Sequence, residues 1–213
     1  MITNQQVLDY LRAIEPEKEP VLGEIEKEAI RLEIPIIKNE VQGLLRLMLS
    51  IKRPLRVLEI GTAVGFSSIL MSHYLQENGS IATIERSEYM IEKAKANIKK
   101  ANKEHIITII EDDAEVALKA LEGQFDFIFL DAAKGQYITF LPYCVNLLND
   151  NGILISDNVL QDGNVAKSRF SVARRYRTIH SRMREYLWEI NHHKELETTI
   201  LPIGDGITIS YKK

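Results

Sequence analysis

From residue 56 onward the chain alternates short apolar runs with longer segments in which apolar positions recur at helical spacing. The apolar runs predict strands near 56–60, 81–85, 106–111, 125–130 and 152–156. The helical spacing predicts helices near 65–77, 87–102, 113–121 and 134–148. Strands that alternate with helices in this way are typical of a parallel sheet covered by helices on both faces.

Other patterns precede and follow this alternating region. Helices are predicted over 4–14, 20–33 and 39–50, and a long helix runs from after residue 165 to about residue 192. Two β-rich runs around Gly204-Asp205-Gly206 then predict an antiparallel hairpin. The predicted fold class is therefore α/β. We expect one domain over residues 1–213, with residues 1–50 forming an N-terminal helical segment packed on it.

Composition and charge limit the binding partners and cellular compartments that are compatible with this fold. The 213 residues carry a formal net charge of −3, so the whole molecule is not a general binder of polyanions. Apolar runs stay well below the roughly 20 residues that a membrane span needs, and the first six residues lack the features of a signal peptide. Cys144 is the only cysteine and is predicted to be a core thiol. We expect a cytoplasmic protein without a membrane partner.

Polar side chains directly follow two of the predicted buried strands. Asp131 ends the fourth run, and Asp157-Asn158 ends the fifth. In an open α/β sheet, ligands bind at the carboxyl ends of the strands. Carboxylate and amide oxygens suit Mg²⁺ better than zinc, and Lys134 adds a possible proton acceptor. The alternative is that these acids only cap loops or bind a ribose.

A glycine-containing loop follows the first strand. Gly61 and Gly65 allow a tight turn and a close approach of a ligand to the backbone. The loop lacks the Gly-Lys-Ser/Thr of a phosphate-binding loop and the glycine spacing of a dinucleotide site. Glu85, at the next strand end, could accept both hydroxyls of a ribose, and Asp113 could meet an adenine edge. These residues favour a nucleoside cofactor over a structural turn.

Taken together, these motifs resemble the cation-dependent class I O-methyltransferases, which include catechol and caffeoyl-CoA O-methyltransferases. The residues that carry the resemblance are Glu59-x-Gly61-x-x-x-Gly65, Glu85, Asp113-Ala114, Asp131-Ala132-Ala133-Lys134 and Asp157-Asn158. Asp131 through Tyr137, Asp157 through Leu160 and Ile203 through Ile207 look most like the bacterial members that methylate 5-hydroxyuridine in tRNA. The resemblance implies a Rossmann-like fold with a seven-stranded, mostly parallel sheet that ends in an antiparallel hairpin.

The resemblance also implies cofactors and residue roles. S-adenosylmethionine would contact Ile37, Gly61, Ser67, Glu85, Asp113, Ala114 and Asp131. Mg²⁺ would be bound by Asp131, Asp157 and Asn158. Lys134 and Asp131 would be the catalytic residues, with Lys134 as the base or as the electrostatic partner of the reacting oxyanion.

A basic stretch helps to separate the candidate substrates. Seven basic residues lie between Lys167 and Arg184 without an intervening acid. Arginine suits phosphate contacts, so Arg174, Arg175 and Arg177 are candidate RNA-binding residues. A solvated helix face, a dimer surface or a site for a coenzyme A phosphate are the alternatives.

The combined interpretation is a Mg²⁺- and S-adenosylmethionine-dependent enzyme that methylates 5-hydroxyuridine at the wobble position of tRNA. An O-methyltransferase for a catechol-like or caffeoyl-CoA-like small molecule is the alternative, because a catechol and 5-hydroxyuridine both offer two adjacent oxygens to a metal. A regulatory module that binds a nucleoside without catalysis is disfavoured by the combination of metal ligands with Lys134. By resemblance we also expect a homodimer.

Overall fold

The computed structural model describes residues 4–213, and its framework is one seven-stranded sheet with the strand order β3-β2-β1-β4-β5-β7-β6. The strands are β1 (Arg56–Ile60), β2 (Ser80–Glu85), β3 (Ile107–Glu111), β4 (Phe125–Leu130), β5 (Leu148–Ser156), β6 (Leu196–Leu201) and β7 (Ile207–Lys212). Strands β1 to β5 pair in parallel, whereas β7 is antiparallel to both of its neighbours. The predicted mostly parallel sheet with a final antiparallel hairpin is confirmed.

Eight α-helices surround this sheet in the described part of the chain. They are α1 (Gln5–Ala13), α2 (Pro20–Arg31), α3 (Asn39–Lys52), α4 (Phe66–Ser72), α5 (Glu88–Lys100), α6 (Ala114–Ala120), α7 (Tyr137–Leu147) and α8 (Arg177–His192). Among the helices of residues 4–213, none combines the length and apolarity that crossing a membrane requires.

The sheet separates two hydrophobic cores. Phe127 and Phe129 of β4 face a core that contains α3, α4 and α5, whereas Ile128 and Leu130 face a core that contains α7 and α8. Successive side chains of a strand point to opposite faces, so a strand covered on both sides is apolar at most of its positions. This explains the largely apolar runs. Cys144 is buried in the second core, and burial raises the pKa of its thiol to about 12, as expected of a core thiol.

Register places the carboxyl ends of the central strands side by side. Ile60 of β1 pairs with Leu130 of β4, and Leu130 pairs in turn with Ser156 of β5. Gly61, Asp131 and Asp157 each follow one of these paired residues. The strand order reverses between β1 and β4, which is where α/β sheets open a crevice for ligands.

The prediction of a long helix after residue 165 is wrong for the first part of that segment. Residues 161–176 form short 3₁₀ turns, and the α-helix begins only at Arg177. Arg174 and Arg175 therefore lie on a turn that precedes the helix. Ser168 accepts the backbone N–H of Phe170, a local bond that competes with helix formation.

Side chains of α8 form hydrogen bonds with backbone carbonyls of the preceding non-helical segment, which a continuous helix would have used internally. The bonds are Arg177 Nε to Val172 O at 3.1 Å, His180 Nε2 with Lys167 O at 3.2 Å, and Arg184 Nη1 to Val165 O at 3.0 Å. Two of the residues in the basic stretch, Arg177 and Arg184, therefore stabilise the preceding turns instead of belonging to one continuous basic helix face.

Two further boundaries differ from the prediction. The helix predicted over 65–77 ends at Ser72, and Gln76 instead donates its backbone N–H to Pro54 O at 3.1 Å, next to the start of β1. Strand β5 begins at Leu148 rather than near residue 152, with a register irregularity opposite Phe125 and Phe127. Neither difference moves the strand ends that carry the candidate site.

A glycine substitution tests how closely the loop after β1 approaches β4. Gly61 has φ +108°, and a Cβ there would overlap the backbone carbonyl of Asp131. We expect Gly61→Ala to lower the free energy of unfolding by about 3 kcal/mol or more, because strain and overlap add. Gly23→Ala is the matched control in α2, where nothing lies within 4 Å, and should raise stability by about 1 kcal/mol. Urea denaturation of both variants measures this, and equal stability would contradict the close approach.

Candidate active site

One cavity of about 550 Å³ lies at the carboxyl ends of the parallel strands. All of the residues predicted to bind the cofactor or metal or to act in catalysis line it. They are Ile37, Gly61, Ser67, Glu85, Asp113, Ala114, Asp131, Lys134, Asp157 and Asn158. The structure therefore brings together residues that are spread over about 120 positions of the sequence, while their individual roles stay predictions.

The two aspartates form the most strongly perturbed part of this cavity. Burial raises the pKa of both Asp131 and Asp157, and the charge of Asp131 raises that of Asp157 further. Lys134 opposes both shifts by its positive charge. Two neighbouring acids with elevated pKa values in a cavity mark a place where a cation would be stabilising.

Asn158 completes a compact set of oxygen donors. Its amide nitrogen donates to Asp131 Oδ1 at 3.1 Å, and its backbone N–H donates to Asp157 Oδ1 at 2.6 Å. Asn158 also has φ +61°, a strained conformation for a residue other than glycine, and such strain clusters at functional sites.

The donor types fit a hard divalent cation. Residues 4–213 contain no group of three His, Cys, Asp or Glu side chains suited to a metal, so a site here would use two carboxylates and one amide. Such oxygen donors suit Mg²⁺, which usually keeps several waters and takes one or two carboxylates from the protein. The predicted magnesium site is therefore chemically consistent with the residues present.

Glu85 shapes the glycine loop as well as the cavity. Its Oε2 accepts the backbone N–H of Ala63 at 3.0 Å, and its Oε1 accepts those of Arg86 and Ser87, each at 3.0 Å. The carboxylate thus fixes the loop after β1 to the end of β2. Accepting ribose hydroxyls would use the remaining lone pairs of the same oxygens.

Asp113 also has a structural role. Its Oδ1 accepts the backbone N–H of Glu115 and caps α6, while its Oδ2 accepts from Arg86 at 3.0 Å. The structural and the ligand-binding interpretations of this residue are therefore compatible, because the cap fixes the carboxylate at the cavity wall.

Ser67 belongs to a buried network that sequence reasoning did not identify. Glu59 is fully buried and accepts hydrogen bonds from Ser67, Ser68 and, at 2.6 Å, Thr83. Burial raises the pKa of Glu59 to about 7 although the three hydroxyls lower it. Ser67 therefore fixes the start of α4 to β1 rather than presenting a free hydroxyl to the cavity.

Asp205 makes a contact that the sequence did not predict. It lies in the turn between β6 and β7, which the sequence indicated only as a hairpin turn and as part of the family resemblance, and its Oδ2 lies 3.4 Å from Lys134 Nζ. A single acid in a glycine turn carries no signal of such a contact, because 71 residues separate the two partners along the chain.

The basic stretch lies next to this cavity. Arg182 Nη1 donates to the backbone carbonyl of Gly135 at 3.0 Å, so α8 contacts the segment that starts at Lys134. Arg174 and Arg175 are exposed, and the Arg175 guanidinium lies 4.6 Å from the centre of the Tyr176 ring. Arg177 differs from them, because it donates to the carbonyls of Val172 and Phe170.

Comparison with known proteins relates this chain and its fold to O-methyltransferases. A family model described as O-methyltransferase matches residues 13–213. A caffeoyl-CoA O-methyltransferase of Medicago sativa is 29% identical over 175 residues, which cover 78% of this chain and 70% of the relative.

Solved structures are similar over nearly the whole chain. A Staphylococcus aureus protein, provisionally described as a caffeoyl-CoA O-methyltransferase, has a TM-score of 0.90 at 29% identity and covers 98% of this chain and 100% of its own. A Podospora anserina methyltransferase, solved with S-adenosylhomocysteine bound, has a TM-score of 0.85 at 25% identity and covers 99% and 97%.

The buried Glu59 generates a prediction about pH. With a folded pKa near 7 and an ordinary value of 4.5, the folded protein retains a proton that the unfolded chain loses, so Glu59 lowers stability as pH rises from about 4.5 to 7. Glu59→Gln removes this dependence. We expect the stability of the variant relative to the unchanged protein to rise by about 3 kcal/mol between pH 4.5 and 8.

Urea denaturation of both proteins at several pH values measures this difference. Asp157 titrates in both proteins, whereas the charge of Asp131 itself helps to raise the Glu59 pKa and so contributes to the measured difference. Parallel stability curves across this pH range would show that Glu59 is ionised in the fold without cost.

Proposed function

The chain belongs to the O-methyltransferase family, and we propose that it methylates 5-hydroxyuridine at the wobble position of tRNA with S-adenosylmethionine and Mg²⁺. The family assignment rests on a model that matches residues 13–213. The family match and the structural neighbours support an S-adenosylmethionine-dependent O-methyltransferase, whatever its methyl acceptor is. The acceptor and the metal are parts of the proposal.

The cofactor assignment is supported by the shape and lining of the cavity. A neighbour of similar fold binds S-adenosylhomocysteine, the product left when S-adenosylmethionine has given up its methyl group. In this chain, the loop that contains Gly61 allows backbone contact with a ligand, and Glu85 offers a carboxylate at the end of the next strand. Asp113 and Ala114 lie at the end of β3, the strand next to β2, where an adenine ring would extend.

The metal assignment is supported by the two neighbouring aspartates that line the cavity. Asp131, Asp157 and Asn158 would bind Mg²⁺, which when present would favour the ionised form of the acceptor hydroxyl. Their fixed geometry restricts where an acceptor with two adjacent oxygens can bind. Lys134, whose side chain is about one-third exposed and pairs with Asp205, would stabilise negative charge on the acceptor with its ammonium group.

The observation that carries the tRNA assignment is an exposed basic surface on the segment that leads into α8, the helix that contacts Gly135 next to Lys134. This basic surface consists of Lys167, Arg169, Arg174 and Arg175, all of them exposed. Residues 161–176 contribute nothing to the lining of the cavity, and the Phe170 side chain is 85% exposed instead of folded over it. A base that enters from a polynucleotide needs such an entrance together with cationic groups for the backbone phosphates.

A small-molecule acceptor is the second candidate. It is favoured by the names of relatives at 28–30% identity, several of which are caffeoyl-CoA O-methyltransferases. The same basic surface could then meet the phosphates of coenzyme A. The two candidates share the cofactor, the metal ligands and Lys134, so only the acceptor distinguishes them.

Direct measurement of methyl transfer tests the proposal. We expect purified protein with Mg²⁺ and S-adenosylmethionine to convert 5-hydroxyuridine in tRNA to 5-methoxyuridine, as detected by mass spectrometry of nucleosides. Uridine in the same tRNA should not react because it lacks the acceptor hydroxyl. Removal of the metal by EDTA should abolish transfer, and added Mg²⁺ should restore it. Rapid methylation of catechols without methylation of this tRNA would establish the small-molecule alternative.

The exposed arginines provide a second prediction. Changing Arg174 and Arg175 together to Ala should raise the KM for tRNA and reduce the slope of log affinity against log salt by about 1 to 2, since each phosphate contact contributes roughly 0.7–0.9. The kcat should change little because neither side chain lines the cavity. Fluorescence anisotropy at several salt concentrations measures the slope.

Two control variants make this result specific. Arg53→Ala changes an exposed arginine just before β1, at the opposite end of the sheet, and should leave tRNA binding unchanged. Arg177→Ala removes hydrogen bonds to the carbonyls of Val172 and Phe170, so this variant should have a lower Tm than the Arg174 and Arg175 double variant. An equal loss in all three variants would contradict a phosphate-binding role for Arg174 and Arg175.

A further inference from the structure

The turn between β6 and β7 contacts Lys134, a residue that lines the cavity, through one carboxylate. Asp205 is only 6% exposed, and its Oδ2 lies 3.4 Å from Lys134 Nζ. Its Oδ1 accepts the backbone N–H of Asp162 in a short hydrogen bond. One side chain therefore connects the candidate catalytic lysine with the loop that follows β5.

The backbone of the same turn holds the residues directly after Asn158. Gly206 O accepts the N–H of Val159 at 3.0 Å, and Asp205 O accepts the N–H of Leu160 at 2.9 Å. Gly206 has φ +88°, and a Cβ at this position would overlap the Leu160 side chain. The turn and the loop thus form one closely packed unit next to Asp157 and Asn158.

The charge of Asp205 needs its own explanation. A buried carboxylate is costly unless it is paired. The amide oxygen of an Asn could accept the N–H of Asp162 at a lower desolvation cost, so the loop alone does not require an acid. The contact that an acid makes and an amide cannot replace is the ion pair with Lys134.

We propose that Asp205 is a positioning residue for methyl transfer, which holds Lys134 Nζ at the acceptor side of the cavity while its backbone fixes the loop after Asn158. This inference rests on the proposed function in one respect, the action of Lys134 on the acceptor. It applies to either acceptor, because both would meet the same lysine.

Two substitutions separate the charge from the loop contact. Asp205→Asn keeps an acceptor for Asp162 and loses the ion pair, whereas Asp205→Ala loses both. We expect Asp205→Asn to lower kcat by about 10- to 100-fold, the order of effect that a displacement of about 1 Å can cause. The KM for S-adenosylmethionine and the Tm should change little. Asp205→Ala should lower both kcat and Tm. Asp150→Asn neutralises an exposed acid in β5 as a matched control and should have no effect.

A double-mutant cycle with Lys134→Ala tests whether Asp205 acts through the lysine. In the Lys134→Ala background, Asp205→Asn should cause no further loss of kcat, because the group that it positions is gone. An unchanged kcat in Asp205→Asn alone, or an equal loss in both backgrounds, would overturn the proposal and leave Asp205 with a loop-holding role.

The measurements are made with both 5-hydroxyuridine-containing tRNA and a catechol. Failure on tRNA alone would count against the proposed function, while the cycle on the catechol would still decide the role of Asp205. A crystal structure of Asp205→Asn gives a readout that needs no acceptor. We expect the Lys134 side chain to leave its present place, and an unmoved Lys134 Nζ would overturn the proposal.

Discussion

Parallel pairing of β4 with β5 is the constraint on which the site depends. Because Leu130 pairs with Ser156, the residue that follows each of them is an aspartate at the same height, and both acids line the cavity at the carboxyl edge of the sheet. Burial and mutual repulsion disfavour two negative charges there. The surrounding elements reduce this cost: Asn158 donates to both aspartates, and Lys134 contributes a positive charge.

On the cofactor side of the cavity, the acidic side chains are held by backbone hydrogen bonds and not by a neighbouring positive charge alone. Its acids are engaged in backbone hydrogen bonds before any ligand binds, since Glu85 accepts from the glycine loop and Asp113 caps α6. Glu59, beneath the loop, is buried among hydroxyls and joins β1 to α4. These contacts make the cavity wall rigid, and a preformed wall reduces the ordering cost of binding.

The sequence predicted best those features that depend on short-range patterns of apolar and polar residues. The apolar runs of β1 and β4 predicted both strands to the residue, and the polar residues after β4 and β5 predicted which side chains meet at the cavity. It was wrong over 165–176, where Arg177, His180 and Arg184 satisfy backbone carbonyls from a distance and remove the need for a helix. It missed the contact between Asp205 and Lys134 because nothing near that turn in the sequence indicates a lysine 71 positions earlier.

The place of that turn in the chain has a consequence for biosynthesis. The ribosome makes residue 1 first, so Asp131, Lys134, Asp157 and Asn158 emerge well before Asp205 and Gly206. Strand β7 also enters the sheet between β5 and β6, and neither β5 nor β6 gains that neighbour until residue 212 is made. A nascent chain can therefore collect its candidate metal ligands early, but the contacts that Asp205 makes with Lys134 and with the loop can form only after the hairpin has been synthesised. The candidate site is complete only once that hairpin has joined the sheet.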